Sequence, residues 1–204
     1  MKAHRPARLS PAARTVLTIG IAVAFGILVA LVKGNGGGIR DAVGNISAVW
    51  LLLPFLAGAY IGRTAITGAL AGLCATLAAL TGFYFAESFV LDLGSHPWLT
   101  DLSLTMGIVV YYGERALVTG PVFGALGFWW RRRRSRTAAG LLAGAFVLEP
   151  LAWWIYGMHI GGGAAYPVPG YPPLWLGEIM AGIAGFAWLY RSARREATVP
   201  TPSG

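Results

Sequence analysis

Residues 15–32 make an 18-residue run without a single charge, and this run constrains the fold more than any other feature of the chain. A helix rises 1.5 Å per residue and needs about 20 mostly apolar residues to cross a hydrocarbon layer about 30 Å thick. In water such a run needs burial on every side. The rest of the chain is poorly equipped to provide a soluble surface, because charged residues make up only 12% of the 204, against about 25% in a soluble domain. The sequence therefore predicts an all-α polytopic membrane protein. Its 29 Gly suit that class, since small residues let helix backbones approach closely in lipid.

Five more segments meet or nearly meet the required length: 46–61, short and containing Pro54, then 64–86, 102–130, 137–158 and 174–190. A signal peptide has an apolar core of about 7 to 15 residues ending in a small-residue cleavage site, so 15–32 reads as an uncleaved first span. The fourth segment contains Gly113-Glu114-Arg115 and Gly120-Pro121. It reads either as one tilted, kinked helix or as a short interfacial helix up to Tyr112 followed by the span. Either way six transmembrane helices are expected. They form a domain over 15–190, between a basic N-terminal segment at 1–14 and a disordered tail at 191–204.

Orientation follows from the basic flanks, which favour the cytoplasmic side. With the N-terminus inside, 13 of the 16 Lys and Arg fall on that side. Lys33 and Arg40 lie outside and Arg115 lies within a span. The expected topology is N-in and C-in. Arg131, Arg132, Arg133, Arg134 and Arg136 follow Trp129-Trp130 at the end of a span, where they read as topology anchors and anionic-lipid contacts rather than a nucleic-acid patch. Arg-Thr opens the odd-numbered spans at 14, 63 and 136, and aromatic residues close the even ones. The partner implied by all of this is the lipid bilayer.

Other motifs are few. Lys33-Gly34-Asn35-Gly36-Gly37-Gly38 lacks the spacing of a phosphate-binding loop and reads as a flexible connector. Asn45-Ile46-Ser47 is a glycosylation sequon. Cys74, the single cysteine, reads as a small core residue. The sequence contains no GxSxG, HExxH or zinc ligand set, so the expectation is a protein that is not an enzyme and has no cofactor or metal. Ala22, Gly26 and Ala30, at four-residue spacing, give the first helix a small-residue face suited to internal packing or to a separate membrane subunit.

Four charges have no topological role. Glu114, Arg115, Glu149 and Glu178 fall within predicted spans, where an ionisable group costs at least about 2.5 to 3.5 kcal/mol at the centre. Counted from the cytoplasmic ends, the three acids lie roughly 18 to 24 Å deep, in the outer half of the bilayer. Neighbouring residues on a helix point about 100° apart, so Arg115 would reach Glu149 or Glu178 on another helix rather than share a partner with Glu114. Two readings stay open. In one, these residues pair structurally; in the other, helices four to six surround an outward-facing solute or proton site. The loop at 159–173, rich in Pro and Tyr, reads as a lid over that mouth or as a plain connector.

Asn45-Ile46-Ser47-Ala48-Val49-Trp50, Thr81-Gly82-Phe83-Tyr84, Gly120-Pro121-Val122-Phe123-Gly124 with Trp129-Trp130-Arg131, and Phe146-Val147-Leu148-Glu149-Pro150 together carry a resemblance. Over roughly 15–190 the chain resembles a family of uncharacterised actinobacterial integral membrane proteins known as a domain of unknown function, which implies a bacterial cell membrane and no catalytic role. In size, helix number and orientation it is also similar to the substrate-binding subunits of energy-coupling-factor vitamin transporters. The functional expectation is binding or transport of a small polar or cationic solute. The competing expectation is a non-transporting structural or accessory membrane subunit.

Overall fold

The computed structural model describes residues 10–34, 38–90, 98–159 and 172–197. These form seven helices and, among the described residues, no strand: α1 Pro11–Lys33, α2 Gly38–Gly44, α3 Ser47–Ile61, α4 Ala65–Val90, α5 Trp98–Arg133, α6 Arg136–His159 and α7 Pro172–Ala197. The six expected spans correspond to the six longer helices, and α2 is an addition that begins where the glycine-rich connector read at 33–38 ends. Residues 102–130 lie within one continuous helix, so the two-piece alternative falls. Helix α7 also runs through the first seven residues of the segment assigned to a disordered tail.

The longer helices alternate in direction. In the parallel pair α1 and α4, Gly26 meets Ala79 and Phe83 while Lys33 meets Glu87. Helix α5 runs antiparallel to α4, with Gly72 against Gly120 and Gly124 and Tyr84 stacked on Tyr112 at 6.0 Å. Helix α6 runs antiparallel to α3, since Glu149 meets Ser47 and the Ala138–Ala139–Leu142 stretch packs with Phe55. Helix α7 returns along α6, with Gly182 against Ala143 and Phe146.

Glycine explains how α3, α4 and α5 come together. Gly68 and Gly72 on α4 face Gly120 and Gly124 on α5, and Gly58 of α3 meets Gly124 from the other side. A Cβ at Gly58 would collide with the carbonyl oxygen of Gly124, and one at Gly124 with that of Gly68. Without an apolar driving force between helices in lipid, such backbone-to-backbone packing is what holds them. The interior is correspondingly small: Ala22, Ala48, Ala75, Ala79, Ala138 and Ala139 are at most 1% exposed. Large apolar residues point outward instead, among them Val16, Leu28, Tyr60, Leu70 and Val118.

That inside-out distribution is the reverse of a water-soluble protein. The most apolar stretch of α1 is only 17% buried, and among the described residues three segments are long and apolar enough to cross a membrane: Pro11–Lys33, Gly38–Ile61 and Ala65–Ser88. Pro54 sits fully buried inside α3 without breaking it, and its missing N–H falls where neighbouring helices exclude both lipid and water.

Ala22, Gly26 and Ala30 are buried against α4 of the same chain. This stripe serves internal packing, so a separate subunit would have to dock elsewhere. Cys74 is exposed, not a core residue. The reading failed because an apolar run in a membrane helix includes residues that face lipid.

At one end of the bundle gather the starts of α1, α4 and α6 and the ends of α3, α5 and α7. Arg131 lies over the Tyr60 ring at 5.0 Å, Arg134 over Trp130 at 5.9 Å and Arg136 over Tyr190 at 4.8 Å. These three arginines thus form guanidinium–aromatic pairs, each worth about 0.5–1 kcal/mol when exposed. Arg134 ends α5 in the left-handed region, φ 49°, the conformation that closes many helices.

At the opposite end Lys33 forms a 2.6 Å ion pair with Glu87, the two side chains being 21% and 12% exposed. Arg40 of α2 donates from Nε to Val32 O at 3.0 Å and from Nη2 to Leu31 O at 2.8 Å, satisfying the last carbonyls of α1. The basic residues at this end are therefore structural fasteners. A double-mutant cycle on Lys33→Met and Glu87→Gln is expected to give a coupling of about 1.5 kcal/mol or more, as for hydrogen bonds to charged groups. Additive thermal shifts would contradict that.

Candidate functional site

Helix α3 begins without a capping side chain: Ile46 occupies the N-cap and makes no side-chain bond to the first turn. Backbone N–H groups at a helix start have no partner within the helix, and inside a bilayer no water replaces one. Glu149 of α6 fills the role. Its Oε1 accepts from Ser47 N at 2.6 Å and its Oε2 accepts from Ala48 N, so the carboxylate bridges the first two amides of α3 from a position 101 residues away. Charge and dipole agree, because an anion at a helix N-terminus is favoured.

Glu178 stands beside it on α7. Its carboxyl lies close to that of Glu149. The residue is 8% exposed, yet its Oε1 is buried with no hydrogen-bond partner among the described residues. A buried polar atom left without a partner costs about 1–3 kcal/mol, so this oxygen marks a place where something belongs. Glu178 lines a cleft of about 270 Å³, open to the outside of the chain. The other walls are Ile46 at the N-cap of α3, Val49 of α3, Phe146 of α6, and Pro173, Leu174, Gly177 and Ala181 of α7. The chemistry on offer is one carboxyl in an apolar wall with an aromatic ring nearby.

The structure brings together Glu149 and Glu178 but not the whole expected set. Glu114 and Arg115 are exposed on α5, which contributes no residue to the lining described. Arg115 lies over the ring of Tyr112 at 5.3 Å. The expectation of a cavity among the fourth to sixth spans is thereby corrected: the walls come from the second, fifth and sixth. The physical reason is that α7 packs on α6, and α6 reaches the start of α3, while α5 spends its packing face on α4 and α3. The candidate lid lies outside the described residues over 160–171. Among the described residues no cluster of three His, Cys, Asp or Glu is arranged to hold a metal.

Sequence reasoning missed the role of the α3 start, including Ile46, Ser47 and Ala48. The available signal was an apolar residue at a helix N-cap, which demands a partner from elsewhere in the chain.

Comparison with the curated proteins and with the solved structures returned no match. A profile of a family of unknown function, DUF6518, matches residues 5–201, nearly the full length, and the chain belongs to that family.

Proposed function

We propose that the chain is a six-span, N-in and C-in protein of a bacterial cell membrane that binds a small organic cation at Glu178, in the cleft between α3, α6 and α7. The observation that carries this reading is the buried, unpartnered Glu178 Oε1 in an apolar wall. The neighbouring acid, Glu149, is already engaged by the α3 amides, which leaves Glu178 as the group that addresses a ligand. An ammonium would gain a charge-assisted bond to Glu178 and a cation–π contact with Phe146. A volume of about 270 Å³ equals about nine water-sized groups at ~30 Å³ each, which suits a solute of a few heavy atoms.

The test is thermal shift on purified protein with methylammonium, ethylammonium and guanidinium, with sodium acetate at matched ionic strength as the control. At a hundredfold excess over Kd a binding cation is expected to raise Tm by about 5 °C or more, and Glu178→Gln is expected to remove the shift without lowering the unliganded Tm. No shift with any of the three cations, or an undiminished shift in Glu178→Gln, would overturn the reading in favour of a non-transporting structural or accessory role. Uptake of labelled methylammonium into proteoliposomes then separates a carrier from a receptor.

A further inference from the structure

Helices α1 and α4 touch through Ala22, Gly26 and Ala30, then part toward their shared N-terminal end. The gap is a groove of about 220 Å³, open sideways and lined by Thr15, Thr18, Ile19, Leu70, Cys74 and neighbours. Its threonines are largely spent within the chain. Thr15 donates to Pro11 O at 3.2 Å, and Thr67 Oγ1 accepts from the amides of Arg63 and Thr64, both at 2.9 Å. The surface left to an occupant is almost wholly apolar. At ~30 Å³ per water-sized group, it holds a short run of methylenes.

Two of the residues that adjoin it in sequence are cationic. Arg14 precedes Thr15 at the start of α1, and Arg63 precedes α4; both are exposed. Arg131, Arg134 and Arg136 stack on aromatic rings, whereas the guanidinium groups of Arg14 and Arg63 have no partner among the described residues. An apolar groove with Arg14 adjoining its Thr15 and Arg63 standing between its Ile61 and Thr67 matches a chain that ends in an anion. We propose that the groove holds one acyl chain of an anionic phospholipid whose phosphate lies between Arg14 and Arg63. This rests on the membrane placement of α1 and α4 and is independent of the cation cleft.

Native mass spectrometry of the detergent-purified protein, with phosphatidylglycerol or phosphatidylcholine of identical chains, tests it. The wild type is expected to retain one phosphatidylglycerol in preference to phosphatidylcholine. The double variant Arg14→Gln/Arg63→Gln is expected to weaken phosphatidylglycerol binding about thirtyfold and to lose the preference. Cys74→Phe and Leu70→Trp, at exposed positions in the groove, should each reduce retention of both lipids by filling it, with unchanged melting as the check on folding. Equal retention of the two lipids by the wild type, or undiminished phosphatidylglycerol retention in Arg14→Gln/Arg63→Gln or in both groove variants, overturns the proposal.

Discussion

Gly124→Leu is expected to leave almost no folded protein. At this position three helix backbones converge: a Cβ would strike the Gly68 carbonyl oxygen on α4 and lie 2.9 Å from the Cα of Gly72, while Gly58 of α3 presses on Gly124 from its own side. None of these obstacles is the end of a flexible side chain, so the strain has no rotamer to relax into. Overpacking a core typically costs about 1–3 kcal/mol and sometimes more; backbone against backbone belongs at or above the top of that range. Set against a total stability of about 5–15 kcal/mol, the loss consumes a large part of the whole. Gly124→Ala should be milder but clearly destabilised. Gly107→Ala and Gly113→Ala, on the same helix but with nothing within 4 Å of the added Cβ, should be neutral or slightly stabilising, since Gly in a helix interior is about 0.8–1.0 kcal/mol worse than Ala. Fluorescence-detected size exclusion and thermal melting of the four variants check the order. A monodisperse Gly124→Leu with the wild-type melting temperature would mean that α3, α4 and α5 do not meet through these glycines.

How much of this was legible in the sequence depends on whether the signal is local. The six long helices were, because each apolar run reports its own length: 15–32 lies within Pro11–Lys33 and 137–158 within Arg136–His159. The arginine and aromatic pairs at one end were also legible, since Trp130 and Arg134 are close in sequence. The direction in which each residue points was not. With large apolar residues outside and small ones inside, hydropathy no longer separates a core position from a lipid-facing one, and Cys74 was misassigned for that reason. The glycine contacts were half visible. Gly68 and Gly72, like Gly120 and Gly124, stand at four-residue spacing, yet which pair faces which is a tertiary fact. The same holds for the acids. Their burden in a span singled out Glu149 and Glu178, but the bond from Glu149 to the α3 amides joins elements about 100 residues apart. Arg115 looked like a partner for either acid and instead lies over Tyr112 on its own helix.

Glu149→Ala should be the most damaging change among the buried charges, and for a reason unrelated to ligand. It removes the group that accepts from the amides of Ser47 and Ala48. Ala48 is 1% exposed, so its N–H has no solvent to turn to. A buried donor left unmade costs about 1–3 kcal/mol, and losing a charge at a helix N-terminus costs about 0.3–1 kcal/mol more. The expected loss is about 1.3–4 kcal/mol, or roughly 3–16 °C in Tm at about 2–4 °C per kcal/mol for a chain of this size. Glu149→Gln should fall between, because an amide oxygen accepts from one backbone N–H while its NH2 faces the other as a second donor. Hydrogen exchange supplies the local readout: protection at Ser47 and Ala48 should fall in both variants, while Gly58, at the glycine contact farther along α3, keeps its protection. Glu178→Gln, by contrast, alters a side chain that caps nothing and should leave α3 exchange unchanged. If Glu149→Ala melted like the wild type with intact protection at Ser47 and Ala48, the carboxylate would not be the cap of α3, and Glu149 would join Glu178 as a group free to address a ligand.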